Sequence, residues 1–134
     1  MKSLIIAACL AAVSLPAFAA DPANGEKLFN QCKSCHSITK ADGTAVVKGG
    51  KIGPNLWGVV GRAVGSEADY KYGDSLKEAG EHGAVWDEAA VAAWVADPTG
   101  WLNGKLGKTD AKTKMTFKLK SGGEDVAAWL ATQK

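Results

Sequence analysis

The segment Cys32-Lys33-Ser34-Cys35-His36 decides the fold and the function that we predict for this chain. Its C-x-x-C-H pattern is the attachment signature of a c-type haem. On one helical turn both thiols face the same way, so each can add to one vinyl group of a single porphyrin. His36 is then held beneath the iron as the proximal ligand. The motif therefore predicts one haem c, bound covalently through Cys32 and Cys35.

Three other uses of a cysteine pair compete with haem attachment. A thioredoxin-like redox pair expects a preceding strand and an α/β chain, and no strand pattern is visible here. A structural zinc site needs two more ligands, but His82 is the only other Cys or His after residue 36. A plain disulfide between Cys32 and Cys35 stays open, although it gives His36 no role.

The first 19 residues are predicted to be a cleaved signal peptide. Lys2 provides a positive start, residues 4–15 are almost wholly apolar, and small residues precede the expected cut after position 19. A retained membrane anchor is the alternative, but the apolar stretch is short for a span and Pro16 interrupts it. We therefore expect one domain over residues 20–134, exported to the periplasm.

Composition and periodicity indicate one small helical domain. The chain has 134 residues, of which 22% are charged and 46% hydrophobic, so extensive disorder is not expected. A formal net charge of +2 does not indicate a nucleic-acid binder. We predict an all-α fold of about five short helices with long loops. The first helix is predicted to start near Asp21-Pro22 with an Asn24 cap. The other four are predicted to span residues 74–79 before Gly80, 87–96, 98–102 and 123–131.

The sixth iron ligand separates electron carriers from haem enzymes and gas binders. Met115 is the only methionine after the predicted signal peptide, and it lies in a cationic run with little helical core to fill. Met115 is therefore the leading candidate for the axial ligand. His82 is the rival, although Glu81-His82-Gly83 is more typical of a solvated turn.

Together these segments resemble the class I soluble cytochromes c, and closely the long-loop bacterial cytochrome c2 subgroup. The resemblance covers essentially the whole chain after the predicted signal peptide. Gly25 and Phe29 match the N-terminal helix pattern that crosses the C-terminal helix in this family. Val126, Trp129 and Leu130 match the facing pattern. The resemblance implies the class I cytochrome c fold around one covalent haem.

The resemblance also implies roles for residues around the haem. The carbonyl of Pro54 is expected to accept a hydrogen bond from His36, which would orient the ring and raise its basicity. Arg62 matches an arginine that neutralises a haem propionate. Tyr72 and Trp86 match residues that hydrogen-bond to the propionates.

On the methionine side, the resemblance places Phe117 over the haem edge, with Leu56 and Trp94 completing an apolar shell. Trp94 falls where many relatives carry a tyrosine whose hydroxyl approaches the methionine sulfur. An indole is larger and cannot accept a hydrogen bond, so the network around Met115 is expected to differ from that of those relatives.

His/Met ligation leaves no open iron position, so we expect an electron carrier and not an enzyme. The resemblance implies a monomer that shuttles single electrons from a quinol–cytochrome c oxidoreductase complex to a photosynthetic reaction centre or a terminal oxidase. No nucleic acid and no stable membrane insertion are expected. The alternative is a c-type haem enzyme or gas-binding protein with a labile sixth ligand.

Charge is unevenly distributed along the chain. Residues 105–120 hold six lysines against one acid, whereas residues 67–97 hold eight acids against two lysines. We therefore predict a dipolar molecule whose positive end docks on acidic faces of membrane redox complexes. The docking lysines are Lys105, Lys108, Lys112, Lys114, Lys118 and Lys120.

Overall fold

The computed structural model describes residues 19–134, which form five α-helices and one small hairpin. The predicted signal peptide lies outside the described residues apart from its last position. The helices are α1 (Pro22–Leu28), α2 (Asp74–Glu81), α3 (Glu88–Ala96), α4 (Pro98–Leu106) and α5 (Gly123–Ala131). The hairpin pairs β1 (Ile38–Thr39) with β2 (Ala45–Val47) in antiparallel register. No helix in the described part is long and apolar enough to cross a membrane.

The first and last helices cross each other closely, as the family resemblance implied. A Cβ atom on the buried Gly25 would collide with the backbone carbonyl of Asp125, so only glycine allows this approach. One turn later, the rings of Phe29 and Trp129 lie 5.0 Å apart at an angle of 48°. The crossing therefore combines a glycine contact with an aromatic pair.

The start of α1 corrects one prediction. Asn24 is not the cap, because the Asp21 carboxylate accepts the hydrogen bond from the backbone N–H of Ala23 at 3.0 Å. Pro22 occupies the first helical position, where its missing N–H costs nothing, and this places the cap one residue before it. Asn24 instead lies inside α1, and its amide donates to the Asp125 carboxylate at 2.7 Å.

Helix α3 follows its prediction, with Asp87 as the cap through a 2.7 Å bond from the Ala90 N–H. Helices α2 and α4 are longer than predicted. Gly80 does not end α2, since it sits within the helix where a side chain would collide with the Val64 carbonyl. Helix α4 continues to Leu106 and ends at Gly107 with a positive φ of 62°. The first two residues of the lysine-rich stretch 105–120 are therefore helical.

The hairpin was not predicted. Its strands have two and three residues, which is too short to show an alternating pattern. The fully buried Ile38 fixes it to the core. The turn is closed by a 2.9 Å bond from the Lys40 N–H to the Thr44 carbonyl, with Gly43 at a φ of 87°. So little strand leaves the all-α class unchanged.

Candidate haem site

The cysteine motif forms one helical turn after a short 3-10 helix, Phe29–Gln31, that follows α1. The His36 N–H donates to the Cys32 carbonyl at 3.0 Å, and the Cys35 N–H donates to the same carbonyl at 3.1 Å. Both cysteines are free, partly buried thiols. Burial, aided by the nearby Cys35, raises the pKa of the Cys32 thiol to about 11, so this thiol is protonated at neutral pH. The turn therefore holds two unoxidised thiols and an imidazole in the spacing that covalent haem attachment needs.

A glycine-rich segment packs against this turn. A side chain at Gly49 would collide with the His36 carbonyl, and one at Gly53 would collide with the His36 imidazole. The segment is also bonded to the turn, because the N–H of Gly53 donates to the Cys35 carbonyl at 2.8 Å. No motif in the sequence links these glycines to His36. Their role follows from contact across the chain, which local pattern cannot show.

The imidazole of His36 is oriented by the backbone. Its Nδ1 lies 2.8 Å from the Pro54 carbonyl oxygen, which is the contact that the resemblance implied. Burial lowers the pKa of His36, and the bond to Pro54 partly opposes that shift. A neutral ring that donates from Nδ1 keeps its Nε2 lone pair for a metal.

Arg62 presents a buried nitrogen that no described residue satisfies. Its Nη1 pairs with the Glu67 carboxylate at 2.6 Å, and its Nη2 donates to the Asn55 carbonyl at 3.0 Å. Its Nε is buried without a hydrogen-bond partner in residues 19–134. Buried guanidinium groups are normally satisfied, so this N–H marks the place of an absent acceptor such as a carboxylate. A haem propionate fits that requirement.

Tyr72 lies beside the same ion pair. It is buried, and its hydroxyl oxygen accepts a 3.2 Å bond from the Glu67 backbone N–H. Burial raises the pKa of the Tyr72 hydroxyl, so it keeps its proton as a donor at neutral pH. Tyr72 and Arg62 therefore place two donor groups next to Glu67.

Met115 has a specific polar partner. The indole Nε1–H of Trp94 donates to its sulfur at 3.1 Å. The hydroxyl of Thr113 bonds to both the N–H and the carbonyl of Met115, at 3.1 and 3.2 Å. The sequence did not indicate Thr113, whose hydroxyl stabilises a local turn. Together these bonds fix the thioether in partly buried surroundings.

Three tryptophans form one cluster next to Met115. Trp86 stacks on Trp101 at 4.9 Å and 21°, and Trp94 meets both of them edge-on at 5.4 and 5.7 Å. Trp86 is buried. Trp101 was not among the predicted site residues, because it belongs to no motif and acts only through its contacts with Trp86 and Trp94. The cluster joins α3 to α4.

Two of the predicted candidates, Phe117 and His82, are exposed. Phe117 is 39% exposed and is not packed against the described core, whereas Leu56 is partly buried and packs on it. His82, the rival axial ligand, is exposed at the end of α2. The described residues contain no group of three or more Cys, His, Asp or Glu side chains placed to hold a metal ion.

The six docking lysines do not form a uniformly free patch. Lys108 pairs with Glu78 at 2.7 Å, and Lys118 pairs with Asp97 at 3.1 Å. These pairs join the basic segment to the acidic segment, so the two segments meet at both points and do not form fully separate poles. The other four lysines make no ion pair within residues 19–134, and they are Lys105, Lys112, Lys114 and Lys120.

Over 134 residues the chain is 54% identical to cytochrome c2 of Rhodobacter capsulatus, an alignment that covers 98% of both proteins. The chain belongs to the class I cytochromes c, in the cytochrome c2 group. The solved structure of R. capsulatus cytochrome c2 matches with a TM-score of 0.83, covering 84% of this chain and 97% of that one at 54% identity. Ferric cytochrome c-550 of Paracoccus versutus matches with a TM-score of 0.82, covering 85% and 98% at 52% identity. No protein-family model matches the chain.

Membership of this group confirms the predicted class I cytochrome c fold and haem c as the cofactor. The coarse function is that of a c-type cytochrome electron carrier. The residues present fit haem c on three observations. The thiols of Cys32 and Cys35 are free, the Nε2 of His36 is uncommitted, and a buried N–H of Arg62 lacks an acceptor within the described residues.

Proposed function

We propose that this cytochrome is a periplasmic shuttle in which Cys32 and Cys35 would hold the haem covalently and His36 and Met115 would bind its iron. The observation that carries the proposal is the turn over residues 32–36. It combines two free thiols with an imidazole whose Nδ1 is already committed to the Pro54 carbonyl. Bound haem c supplies a one-electron Fe(II)/Fe(III) couple.

The remaining predicted residues then surround the cofactor. Arg62 offers its buried, unpaired Nε–H to a propionate, with Tyr72 and Trp86 as further donors. Leu56, Trp94 and Phe117 supply apolar walls. The cationic Arg62 and the neutral donors would hydrogen-bond to the propionates. These bonds lower the free-energy cost of burying the negative charges of the propionates.

With both His36 and Met115 bound to it, the iron would have no position open to a substrate, which separates a carrier from an enzyme. A thioether is a soft ligand that favours Fe(II), so it raises the reduction potential relative to a second histidine. The bonds from Trp94 and Thr113 fix Met115 on the protein side, which limits reorganisation when the electron moves. The chain therefore supports electron transfer without an open site for substrate.

The partners that we propose are membrane redox complexes with acidic faces. The donor is a quinol–cytochrome c oxidoreductase complex, and the acceptor is a photosynthetic reaction centre or a terminal oxidase. Most of the attraction comes from the four lysines without an ion pair in residues 19–134, which are Lys105, Lys112, Lys114 and Lys120. Lys108 and Lys118 contribute less because each is already paired.

Carbon monoxide binding tests this proposal against the enzyme and gas-binding alternative. The protein is exported with its own leader in a bacterium that attaches haem c, purified, reduced, and exposed to carbon monoxide at neutral pH. We expect c-type absorption bands and no prompt spectral change on adding the gas. Prompt and complete binding would show an open or labile sixth position and would contradict a shuttle.

A further inference from the structure

The hydrogen bond from Trp94 to Met115 has a direction that the chemistry of the two groups dictates. An indole N–H can only donate, and a thioether sulfur can only accept. The Nε1 to Sδ distance is 3.1 Å. We propose that Trp94 is a positioning residue which occupies one sulfur lone pair, directs the other towards iron, and raises the reduction potential. The inference rests on the proposed role of Met115 as axial ligand.

The donor is held in place by its neighbours. The ring of Trp94 meets Trp86 at 5.4 Å and 66°, and it meets Trp101 at 5.7 Å and 87°. Trp86 and Trp101 are stacked on each other, so Trp94 stands edge-on against a double layer. Such packing restricts the rotation that would carry the N–H away from the sulfur.

The loop that carries Met115 is anchored to α3, which holds the donor Trp94, and to α4, which holds Trp101. Upstream of Met115, the Ala111 N–H donates to the side chain of Asn103 on α4 at 2.9 Å. Downstream, the Leu119 N–H donates to the Val95 carbonyl on α3 at 2.7 Å. Because Trp94 and Trp101 belong to these helices, the tryptophans and the ligand loop are held on one scaffold.

The electronic consequence has a definite sign. A proton donor on sulfur withdraws electron density and makes the thioether a poorer donor. Poorer donation destabilises Fe(III) more than Fe(II), because the ferric ion carries more charge. The bond therefore raises the potential. Since an indole does not ionise in the ordinary pH range, the bond also lacks the alkaline titration that a phenol at this position would have.

Two substitutions of Trp94 and one control in the haem-loaded protein test the inference. Trp94→Phe removes the donor, Trp94→Tyr restores a donor, and Trp101→Phe changes the same cluster without touching the sulfur bond. The readouts are the red methionine–ferric charge-transfer band and the reduction potential. We expect Trp94→Phe to keep the band and to shift the Fe(II)/Fe(III) equilibrium towards Fe(III) by about three- to tenfold. At 59 mV per tenfold, that is a fall of roughly 30–59 mV.

In Trp94→Tyr the reduction potential should fall by no more than half as much as in Trp94→Phe. In Trp101→Phe it should fall by less than a third as much. A potential in Trp94→Phe equal to that of Trp101→Phe would overturn the inference. Equal falls of the potential in Trp94→Phe and Trp94→Tyr would also overturn the inference, because they would reflect lost packing and not a lost hydrogen-bond donor. In either case the charge-transfer band, if retained, leaves Met115 as the ligand, so the proposed function stands independently.

Discussion

The backbone of Gly25 lies directly against the carbonyl of Asp125, at the point where α1 crosses α5. The carboxylate of Asp125 reaches back to α1 and accepts bonds from the Asp21 N–H and the Asn24 amide, both at 2.7 Å. One residue of α5 therefore contacts the first helix through both its backbone and its side chain. The crossing holds the segment that leads straight into the haem-attachment turn.

Replacing Gly25 by alanine should destabilise the folded protein by about 1–3 kcal/mol, because the added methyl group forces the helices apart. Alanine is the better helix former by about 1 kcal/mol, so a net loss would show that the contact dominates. Gly104→Ala is the matched control, since a Cβ there meets nothing within 4 Å. Denaturant unfolding of the haem-loaded protein measures both. Equal stability changes in the two variants would contradict a tight crossing.

The bonds to Asp125 make the crossing sensitive to acid. The Asn24 amide and then the Asp21 N–H hold the pKa of the Asp125 carboxyl below its ordinary value of 3.8. Because the pKa is lower in the folded than in the unfolded protein, the ionised carboxylate stabilises the fold at pH values above the ordinary 3.8. This stabilisation is lost as the pH falls through the pKa of the folded protein. The melting temperature of the wild type should therefore be higher than that of Asp125→Asn at pH 6. The difference between the two melting temperatures should shrink as the pH is lowered towards 3.

The control for this measurement is Glu124→Gln, which removes a charge from the same first turn of α5. It should show a smaller gap at pH 6. A gap for Asp125→Asn that stays constant from pH 6 to pH 3 would mean that lost packing, and not charge, separates the two proteins.

Arg62 and Glu67 should move the reduction potential in opposite directions. Arg62→Gln removes a positive charge and should lower the potential, because Fe(III) becomes easier to form. It should also cost about 1–3 kcal/mol of stability, since the Arg62 side chain is only 15% exposed and bonds to several groups. Glu67→Gln removes a negative charge and should raise the potential. Redox titration of both variants checks the signs, and shifts of the same sign would count against Arg62 lying beside a propionate.

Electron transfer to a membrane partner should slow as salt is added, because screening weakens the attraction between the lysines and an acidic face. At low salt, Lys112→Glu and Lys120→Glu should each slow second-order transfer by roughly twofold or more. Lys27→Glu, at the end of α1, is the charge-matched control and should have a smaller effect. Stopped-flow rates with a solubilised acceptor complex measure this. Rates that do not change with ionic strength would contradict lysine docking.

Local patterns predicted helices where caps and periodicity agree. Asp87 and Pro98 mark the two ends of α3, and acidic residues mark the first turn of α5. The structure places both helices within one residue of the prediction. Gly80 misled the prediction because glycine usually ends a helix, yet here it remains inside α2 to let Val64 approach. Such contacts between distant segments are invisible to periodicity.

The same limit applies to the site. The His36 contact with Pro54 was implied by the resemblance, since both motifs are short and distinctive. Trp101 and Thr113 were missed, because neither belongs to a motif and each acts only through its neighbours in space. The contacts around Met115 were expected to differ from those in relatives with a tyrosine at this position. The hydrogen bond from Trp94 to the Met115 sulfur became clear only when both side chains were placed.

The red methionine–ferric charge-transfer band in Met115→Ala tests the central claim most directly. The oxidised, haem-loaded variant is compared with the wild type and with His82→Ala, which removes the exposed rival ligand. We predict that the band is present in the wild type and in His82→Ala and absent from Met115→Ala. A band that survives in Met115→Ala would contradict Met115 as the axial ligand.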